Sequence, residues 1–311
     1  MKAAVIHQYG QVGDVVQVTD VPAPAVGPRD VLIEVRAAGV NPVDHLIVKG
    51  FMAAGALAGP VVIGSEVAGV VTEAGAEVTR FAAGDEVFTR VDPRVGGGFA
   101  EYVAVDESLV AAKPANLTFE EAASLPLVAL TAWQALTEQS DVRAGSRVLV
   151  HGAAGGVGSA AVQIAKQLGA EVTATASTGS TELVRSLGAD RVIDYRSEKF
   201  DEVLSGIDVV LDTIGGDTQE RSLSVLKPGG SLVSIVPVPD AEAKKEQWNV
   251  DVRSFLMRPH GEQLTALAAL AESGRLRPLV EKVFPLDETP AALQKVERGG
   301  ARGKTVIGVR P

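Results

Sequence analysis

The sequence predicts an α/β protein in two parts: a β-rich part drawn from both ends of the chain, and a doubly wound parallel sheet between them. Three observations carry this. Up to about residue 115, short β-branched or alternating runs are punctuated by Gly, Pro and Asp. From about residue 145, apolar strand candidates alternate with helical segments, a rhythm that requires right-handed crossovers and a parallel sheet. At the start of that second part, Arg147-Val148-Leu149-Val150-His151 runs into the turn Gly152-Ala153-Ala154-Gly155-Gly156-Val157-Gly158, and a small-residue helix follows. Strand, glycine-rich turn and helix N-terminus together make the local chemistry of a dinucleotide pyrophosphate site.

In order, the first part reads as strands over Lys2–Ile6, Val15–Val18, Asp30–Ala37, Glu66–Thr72, Glu86–Thr89 and Phe99–Val105. Turns fall at Pro22-Ala23-Pro24, Gly27-Pro28-Arg29-Asp30 and Ala83-Gly84-Asp85. Lys113-Pro114-Ala115-Asn116 marks a boundary, and Thr118-Phe119-Glu120-Glu121 has the spacing of a capping box opening a helix. In the second part, Arg147–His151, Glu171–Ala176, Arg191–Tyr195, Asp208–Asp212 and Ser231–Val236 are short apolar runs, as strands covered on both faces require. Helices are expected between them at Ser159–Leu168, Thr181–Leu187, Glu198–Ser205 and Thr218–Leu226. Val250–Met257 adds a sixth strand and Gly261–Ser273 a helix. Leu279–Phe284 and Thr305–Val309, around a helix over Thr289–Arg298, return to strand patterning, and this tail is expected to dock on the first part.

The length of 311 residues favours two domains with real cores, and a composition 46% hydrophobic and 22% charged is that of an ordinary globular protein. A net charge of −10 argues against a nucleic-acid surface, yet leaves room for a phosphorylated cofactor, whose pocket needs only local cations. The absence of cysteine removes disulfides and thiolate metal sites and fits a reducing compartment. Met1–Gln8 lacks a signal peptide's long apolar region, and Phe51–Gly64 is interrupted by Pro60 and too short to span a bilayer. Neither a nucleic-acid nor a membrane partner is expected, and the expected location is cytoplasmic.

Four collinear stretches carry a more specific likeness. They are Ala37-Ala38-Gly39-Val40-Asn41-Pro42-Val43-Asp44, Gly64-Ser65-Glu66-Val67-Ala68-Gly69-Val70-Val71, Ala123-Ser124-Leu125-Pro126 with Leu130-Thr131-Ala132-Trp133, and the glycine turn. Together they resemble the medium-chain dehydrogenase/reductase superfamily, specifically its zinc-free quinone oxidoreductase (zeta-crystallin-like) branch. The resemblance implies a GroES-like catalytic domain over 1–117 and 275–311, with an NADPH-binding Rossmann domain over 118–274 inserted. Zinc-dependent relatives carry Cys where Asn41 stands and His where Ser65 stands, and they also carry a cysteine-rich lobe that this chain lacks. Asn and Ser are poor zinc ligands, so no catalytic metal is expected. Without a Lewis acid, hydride transfer suits an acceptor that is already electrophilic and conjugated: a quinone or an α,β-unsaturated carbonyl.

The strand Glu171–Ala176 ends in Ser177-Thr178, where an NAD-binding domain normally places an acid on the ribose hydroxyl. A hydroxyl there can donate to a 2′-phosphate that a carboxylate would repel, so NADPH is expected. In zinc-free relatives a residue after the third strand also reaches this phosphate; that position falls at Tyr195, followed by Arg196, which otherwise read as a solvated strand end. The cofactor-binding set implied is Ala154, Gly155, Gly156, Val157, Ser177, Thr178, Tyr195, Arg196, Gly215, Ile235 and Val236, with Phe255 nearby.

The inter-domain cleft is expected to take the nicotinamide, with Asn41 and Thr131 as the catalytic pair. Asn41 reads either as an amide donor to the oxygen on which charge develops or as a turn residue before Pro42. Thr131 reads either as a partner of the nicotinamide ribose or carboxamide or as a helix hydroxyl bonded to its own preceding turn. Asp44-His45 suggests an acid relay, but chain neighbours usually point apart. His151 is expected to be packed, and Lys304 reads either as a cation reaching cofactor phosphate or, the reading preferred, as part of a solvated terminus. The apolar loop Phe51–Pro60 reads as a lid over a planar substrate or as a surface covered by a partner subunit. The function implied is NADPH-dependent, zinc-independent reduction of quinones or related conjugated carbonyls, by a homodimer paired through Val250–Met257. An enone/enal double-bond reductase is the nearest alternative. A non-catalytic NADPH-binding protein, crystallin-like or RNA-associating, is the alternative of another class; the acidic charge and intact Asn41 and Thr131 speak against it.

Overall fold

The computed structural model describes residues 1–310 apart from 52–54, 56, 93 and 94. The chain forms two compact units, Met1–Leu130 with Arg258–Pro311, and Thr131–Met257. The lid expected over Phe51–Pro60 falls partly on Met52, Ala53, Ala54 and Ala56, which lie outside the described residues.

The first unit opens with β1 (Lys2–Ile6), α1 (Val12–Val15), β2 (Gln17–Asp20), β3 (Asp30–Val40) and α2 (Pro42–Val48). It continues through β4 (Val61–Val62), β5 (Glu66–Ala74), β6 (Glu86–Arg90), β7 (Tyr102–Asp106), β8 (Val110–Ala112) and α3 (Phe119–Ala123), and α4 (Pro126–Thr137) runs across the division at Leu130/Thr131. The second unit holds β9 (Arg147–Val150), α5 (Gly156–Gln167), β10 (Glu171–Ala176), α6 (Thr181–Ser186), β11 (Arg191–Asp194), α7 (Phe200–Val203) and β12 (Ile207–Asp212). It closes with α8 (Asp217–Leu223), β13 (Leu226–Ser234), α9 (Ala241–Trp248) and β14 (Asp251–Ser254). The chain then returns to the first unit as α10 (Gly261–Glu272), β15 (Val280–Pro285), α11 (Thr289–Glu297) and β16 (Lys304–Gly308).

The second unit's sheet has the order β11-β10-β9-β12-β13-β14, parallel throughout. This is the doubly wound order in which the chain reverses direction between β9 and β12, and ligands bind at the carboxyl ends of the strands there. The first unit's main sheet runs β15-β16-β3-β5-β6-β8, with β7 also on β3. Strand β3 explains why. Its first half alternates buried and half-buried residues, as a one-sided sheet requires, and its last four residues are buried. There β16 pairs antiparallel from Thr305↔Val40 to Gly308↔Ala37, so the tail docks on the first part as expected.

One strand expected at Val15–Val18 is split: Val12, Val15 and Val16 are buried from a helical turn, and the strand begins only at Gln17. The domain boundaries that the resemblance implies fall at 117/118 and 274/275, whereas the compact units divide at 130/131 and 257/258. The intervening helices α3 and α10 pack on β3, β5 and β8 of the first unit.

Candidate active site

Asn41 closes β3 and opens α2, with extended backbone angles (φ −130°, ψ 155°) and Pro42 at the first helical position, where proline's missing N–H costs nothing. Its backbone N–H donates to Asp44 Oδ2 at 2.8 Å, and Ser65 Oγ donates to Asp44 Oδ1 at 2.8 Å. Asp44 is buried, and burial pushes its carboxyl up, against the pull of Arg90, the Ser65 hydroxyl, the Asn41 N–H and Lys304. Arg90, buried too, donates through Nη1 to the carbonyls of Ser65 (2.6 Å) and Val91 (2.8 Å). His45 points elsewhere: its charged neighbours are Lys49 and Glu297, and it is half-buried. Asp44 and His45 therefore make no relay.

The side chain of Asn41 is held from both ends. Nδ2 donates to Glu66 Oε1 at 2.7 Å, and Oδ1 accepts from the Lys304 ammonium. Lys304 also donates to Glu66 Oε1 at 2.7 Å and to the Val40 carbonyl at 2.9 Å. The remaining Glu66 oxygen accepts from the Leu127 N–H at 2.7 Å, at the start of α4. One turn further along α4 is Thr131, also buried. Lys304 is thus an interior residue rather than the solvated one expected. Its signal in the sequence is that it opens the β-branched run Thr305-Val306-Ile307, all three of which are buried in β16. Gly39 makes the arrangement possible, since a Cβ there would lie 2.3 Å from Glu66 Oε1 and 2.5 Å from the Ala123 carbonyl.

In the second unit the glycine turn joins β9 to α5 as expected, with Gly155 as the N-cap and Gly156 and Val157 in the first turn of the helix. The first N–H groups of such a helix have no intrahelical partner and face an anion favourably. A Cβ on Gly158 would lie 2.3 Å from the Gly152 carbonyl oxygen and 2.7 Å from Ala153 Cα. Only glycine lets helix and turn approach this closely. Ala154 is buried in the turn.

Gly215, Ile235 and Val236 are brought together by Asp212, which the sequence reading did not single out. Buried at the end of β12, Asp212 accepts from the N–H groups of Ile214 (2.9 Å) and Gly215 (3.0 Å), from Gln219 Nε2 (2.9 Å) and from Ser234 Oγ (2.8 Å). The Val236 N–H in turn donates to Ser234 Oγ at 3.1 Å, and a Cβ on Gly215 would meet Val236 Cγ2 at 3.0 Å. A fixed turn beside the glycine loop, with a helix N-terminus at its edge, fits a dinucleotide; Gly155, Gly156 and Val157 would hold its pyrophosphate.

Ser177 and Thr178 follow β10, and Tyr195 and Arg196 follow the neighbouring β11, so the four expected phosphate-reading residues share one sheet end. Tyr195 is 56% exposed, with the Arg196 guanidinium 5.9 Å from its ring centroid. Asp194, also missed, stands among them. It accepts from the Thr178 hydroxyl at 2.5 Å and the Arg196 N–H at 3.0 Å, and these bonds hold its carboxyl below the usual range.

His151 is packed under the glycine turn as expected. Ser222 Oγ donates to the Thr218 carbonyl (2.6 Å) and so accepts from His151 Nε2 at 3.0 Å, which leaves Nδ1 to accept from the Thr175 hydroxyl at 3.0 Å. Burial lowers its pKa from 6.5 to about 4. The unfolded chain therefore takes up this proton first as pH falls, and the stabilisation is complete above pH 6.5 and lost toward pH 4. The thermal midpoint should fall over that window, and in His151→Gln this part of the slope should vanish. A slope unchanged in the variant would remove His151 as its source.

Among the described residues no group of three or more His, Cys, Asp or Glu side chains is placed to hold a metal ion. No helix among them is long and apolar enough to cross a membrane.

Comparison with known proteins adds to these observations. Residues 27–115 match the alcohol dehydrogenase GroES-like domain, and residues 187–307 match the zinc-binding dehydrogenase family, although the latter stretch contains one histidine, His260, and no cysteine. The chain is 38% identical to a mitochondrial NAD(P)H oxidoreductase of Mus musculus, over 99% of its length and 89% of the relative. It is 37% identical to a chloroplastic NADPH-dependent alkenal/one oxidoreductase of Arabidopsis thaliana, over 99% of its length and 79% of the relative. The solved quinone oxidoreductase of Coxiella burnetii superposes with a TM-score of 0.90 at 34% identity, covering 100% of this chain and 99% of that one. These relatives overturn the cytoplasmic expectation, being mitochondrial and chloroplastic. The absence of cysteine and an acidic charge are compatible with many compartments and do not choose among them.

Proposed function

The chain belongs to the medium-chain dehydrogenase/reductase superfamily, in its zinc-independent branch of quinone oxidoreductase type, and from that membership we propose that it reduces quinones and related conjugated carbonyls with NADPH. The observation that carries this reading is Asn41: a neutral amide tied to Lys304 and Glu66 stands where zinc-dependent members have a thiolate ligand. A bound dihydronicotinamide supplies the hydride. The electron pair displaced at the acceptor moves to its carbonyl oxygen, where the Asn41 amide donates to the developing charge and Thr131 orients the ring. One proton from solvent completes the reduction, so no dedicated acid is needed.

The reading is tested by NADPH oxidation over benzoquinones, enals, enones and simple aldehydes. Turnover of the conjugated acceptors and none of simple aldehydes is expected. Selective turnover of enals and enones would favour the double-bond reductase, as the Arabidopsis relative's name does. Tight NADPH binding without turnover of any acceptor would favour a non-catalytic role.

NADPH is preferred to NADH in this reading because β10 itself ends without an acid and Arg196 lies exposed beside Tyr195, while the nearby Asp194 carboxylate is already engaged by the Thr178 hydroxyl and the Arg196 N–H. Ser177→Glu should lower the NADPH to NADH ratio of kcat/KM by on the order of a hundredfold, the effect of facing a phosphate with a like charge. A ratio that does not move would exclude Ser177 from the phosphate pocket. A homodimer is also proposed, since β14 ends its sheet with an open edge and Leu256 just beyond it is 63% exposed. Sedimentation as a monomer would refute it.

A further inference from the structure

Resting on the reading that Asn41 receives the acceptor oxygen, we propose that Lys304 is a positioning residue that polarises the Asn41 amide from inside the fold, an internal cation acting on the acceptor through one side chain. An ammonium has three N–H donors and no acceptor. Those of Lys304 meet three oxygens: the Val40 carbonyl, Glu66 Oε1 and Asn41 Oδ1. None is left to turn toward a substrate, so Lys304 acts only through its partners.

The amide is oriented without ambiguity. Lys304 can only donate and ionised Glu66 can only accept, so Asn41 must present Oδ1 to the first and Nδ2 to the second. A charge-assisted bond to Oδ1 draws electron density from the amide nitrogen and strengthens its N–H groups as donors. One N–H is taken by Glu66 at 2.7 Å. The other has a contact of 3.5 Å to the Gly39 carbonyl, at the limit of hydrogen bonding. That weakly engaged N–H is the one available to an oxygen acquiring charge. Glu66 balances the ammonium and fixes the amide's rotation, and its second oxygen ties the pair to α4.

The test uses the full-length protein with NADPH and a quinone series of graded electrophilicity. Lys304→Met strands the Glu66 charge, so the neutral pair Glu66→Gln/Lys304→Met is the principal variant. It should fold with a wild-type circular dichroism spectrum and wild-type NADPH affinity. Its kcat should fall by on the order of tenfold, with a smaller change in acceptor KM and the greatest loss on the weakest electrophile. The Asn41 side-chain N–H resonances in selectively labelled protein should move upfield in the same variant, without cofactor or acceptor present. Introduced into Asn41→Ala, the same pair of changes should cost nothing further in kcat. An unchanged kcat in the principal variant, a loss equal on all acceptors, or an equal loss in the Asn41→Ala background would overturn the proposal. Wild-type kcat in Asn41→Ala alone would instead remove the underlying reading of Asn41, whatever Lys304 does.

Discussion

Glu66→Ala is expected to lower the unfolding free energy by about 3–5 kcal/mol, the cost of leaving one member of a buried ion pair alone. The Glu66 side chain is wholly buried and that of Lys304 is 6% exposed, so water cannot replace the lost partner. Three donors lose the Glu66 oxygens together: the Lys304 ammonium, the Asn41 amide and the Leu127 N–H. The pair Lys113–Glu86 provides the comparison. Its lysine is just as buried, at 4% exposed, but its glutamate is 51% exposed, and Glu86→Ala should cost no more than about 1 kcal/mol. Chemical denaturation followed by circular dichroism measures both. Equal small losses for the two variants would mean that the interior pair contributes no more than a surface one.

Gly158→Ala should weaken NADPH binding by at least about tenfold and lower stability by about 1–3 kcal/mol, because overpacking is relieved only by moving the turn. The added methyl group meets backbone, the Gly152 oxygen at 2.3 Å and Ala153 Cα at 2.7 Å, and backbone cannot rotate away as a side chain would. Gly145→Ala is the control. That glycine has φ +83° with open space around the built Cβ, so the change brings local backbone strain and should leave cofactor affinity untouched. Fluorescence titration with NADPH separates the two variants. Unchanged affinity in Gly158→Ala would show that the turn accommodates a Cβ.

The nucleotide-binding unit was the more legible half of the sequence. Its central strands are apolar runs bounded by Gly and Asp, and Glu171–Ala176 is a strand over the expected residues. What escaped had no periodic signal. Helix α9 is polar all round, Ala241-Glu242-Ala243-Lys244-Lys245-Glu246-Gln247-Trp248, with no buried residue, and β4 is only two residues long. At Val12–Val16 the valines suit either a strand or a helical turn, and burial of Val12 together with Val15 and Val16 decides for the turn.

The candidate site divides in the same way. Asn41, Thr131 and the glycine turn could be singled out because each lies within a recognisable local stretch. Lys304 could not, because its partner Glu66 is 238 residues away and only the return of β16 onto β3 brings them together. Asp212 and Asp194 were passed over for a related reason. An aspartate at a strand end reads as a turn residue, and only its donors show that it holds a functional loop.

The central claim is hydride transfer without a metal, and activity after metal removal tests it most directly. The protein is treated with a strong chelator, freed of it, and assayed for NADPH oxidation with a benzoquinone, with and without added zinc. Zinc-independent reduction predicts the same kcat and KM in the untreated, stripped and zinc-supplemented protein, with one acceptor reduced per NADPH consumed. Loss of turnover on stripping, restored by zinc, would contradict it.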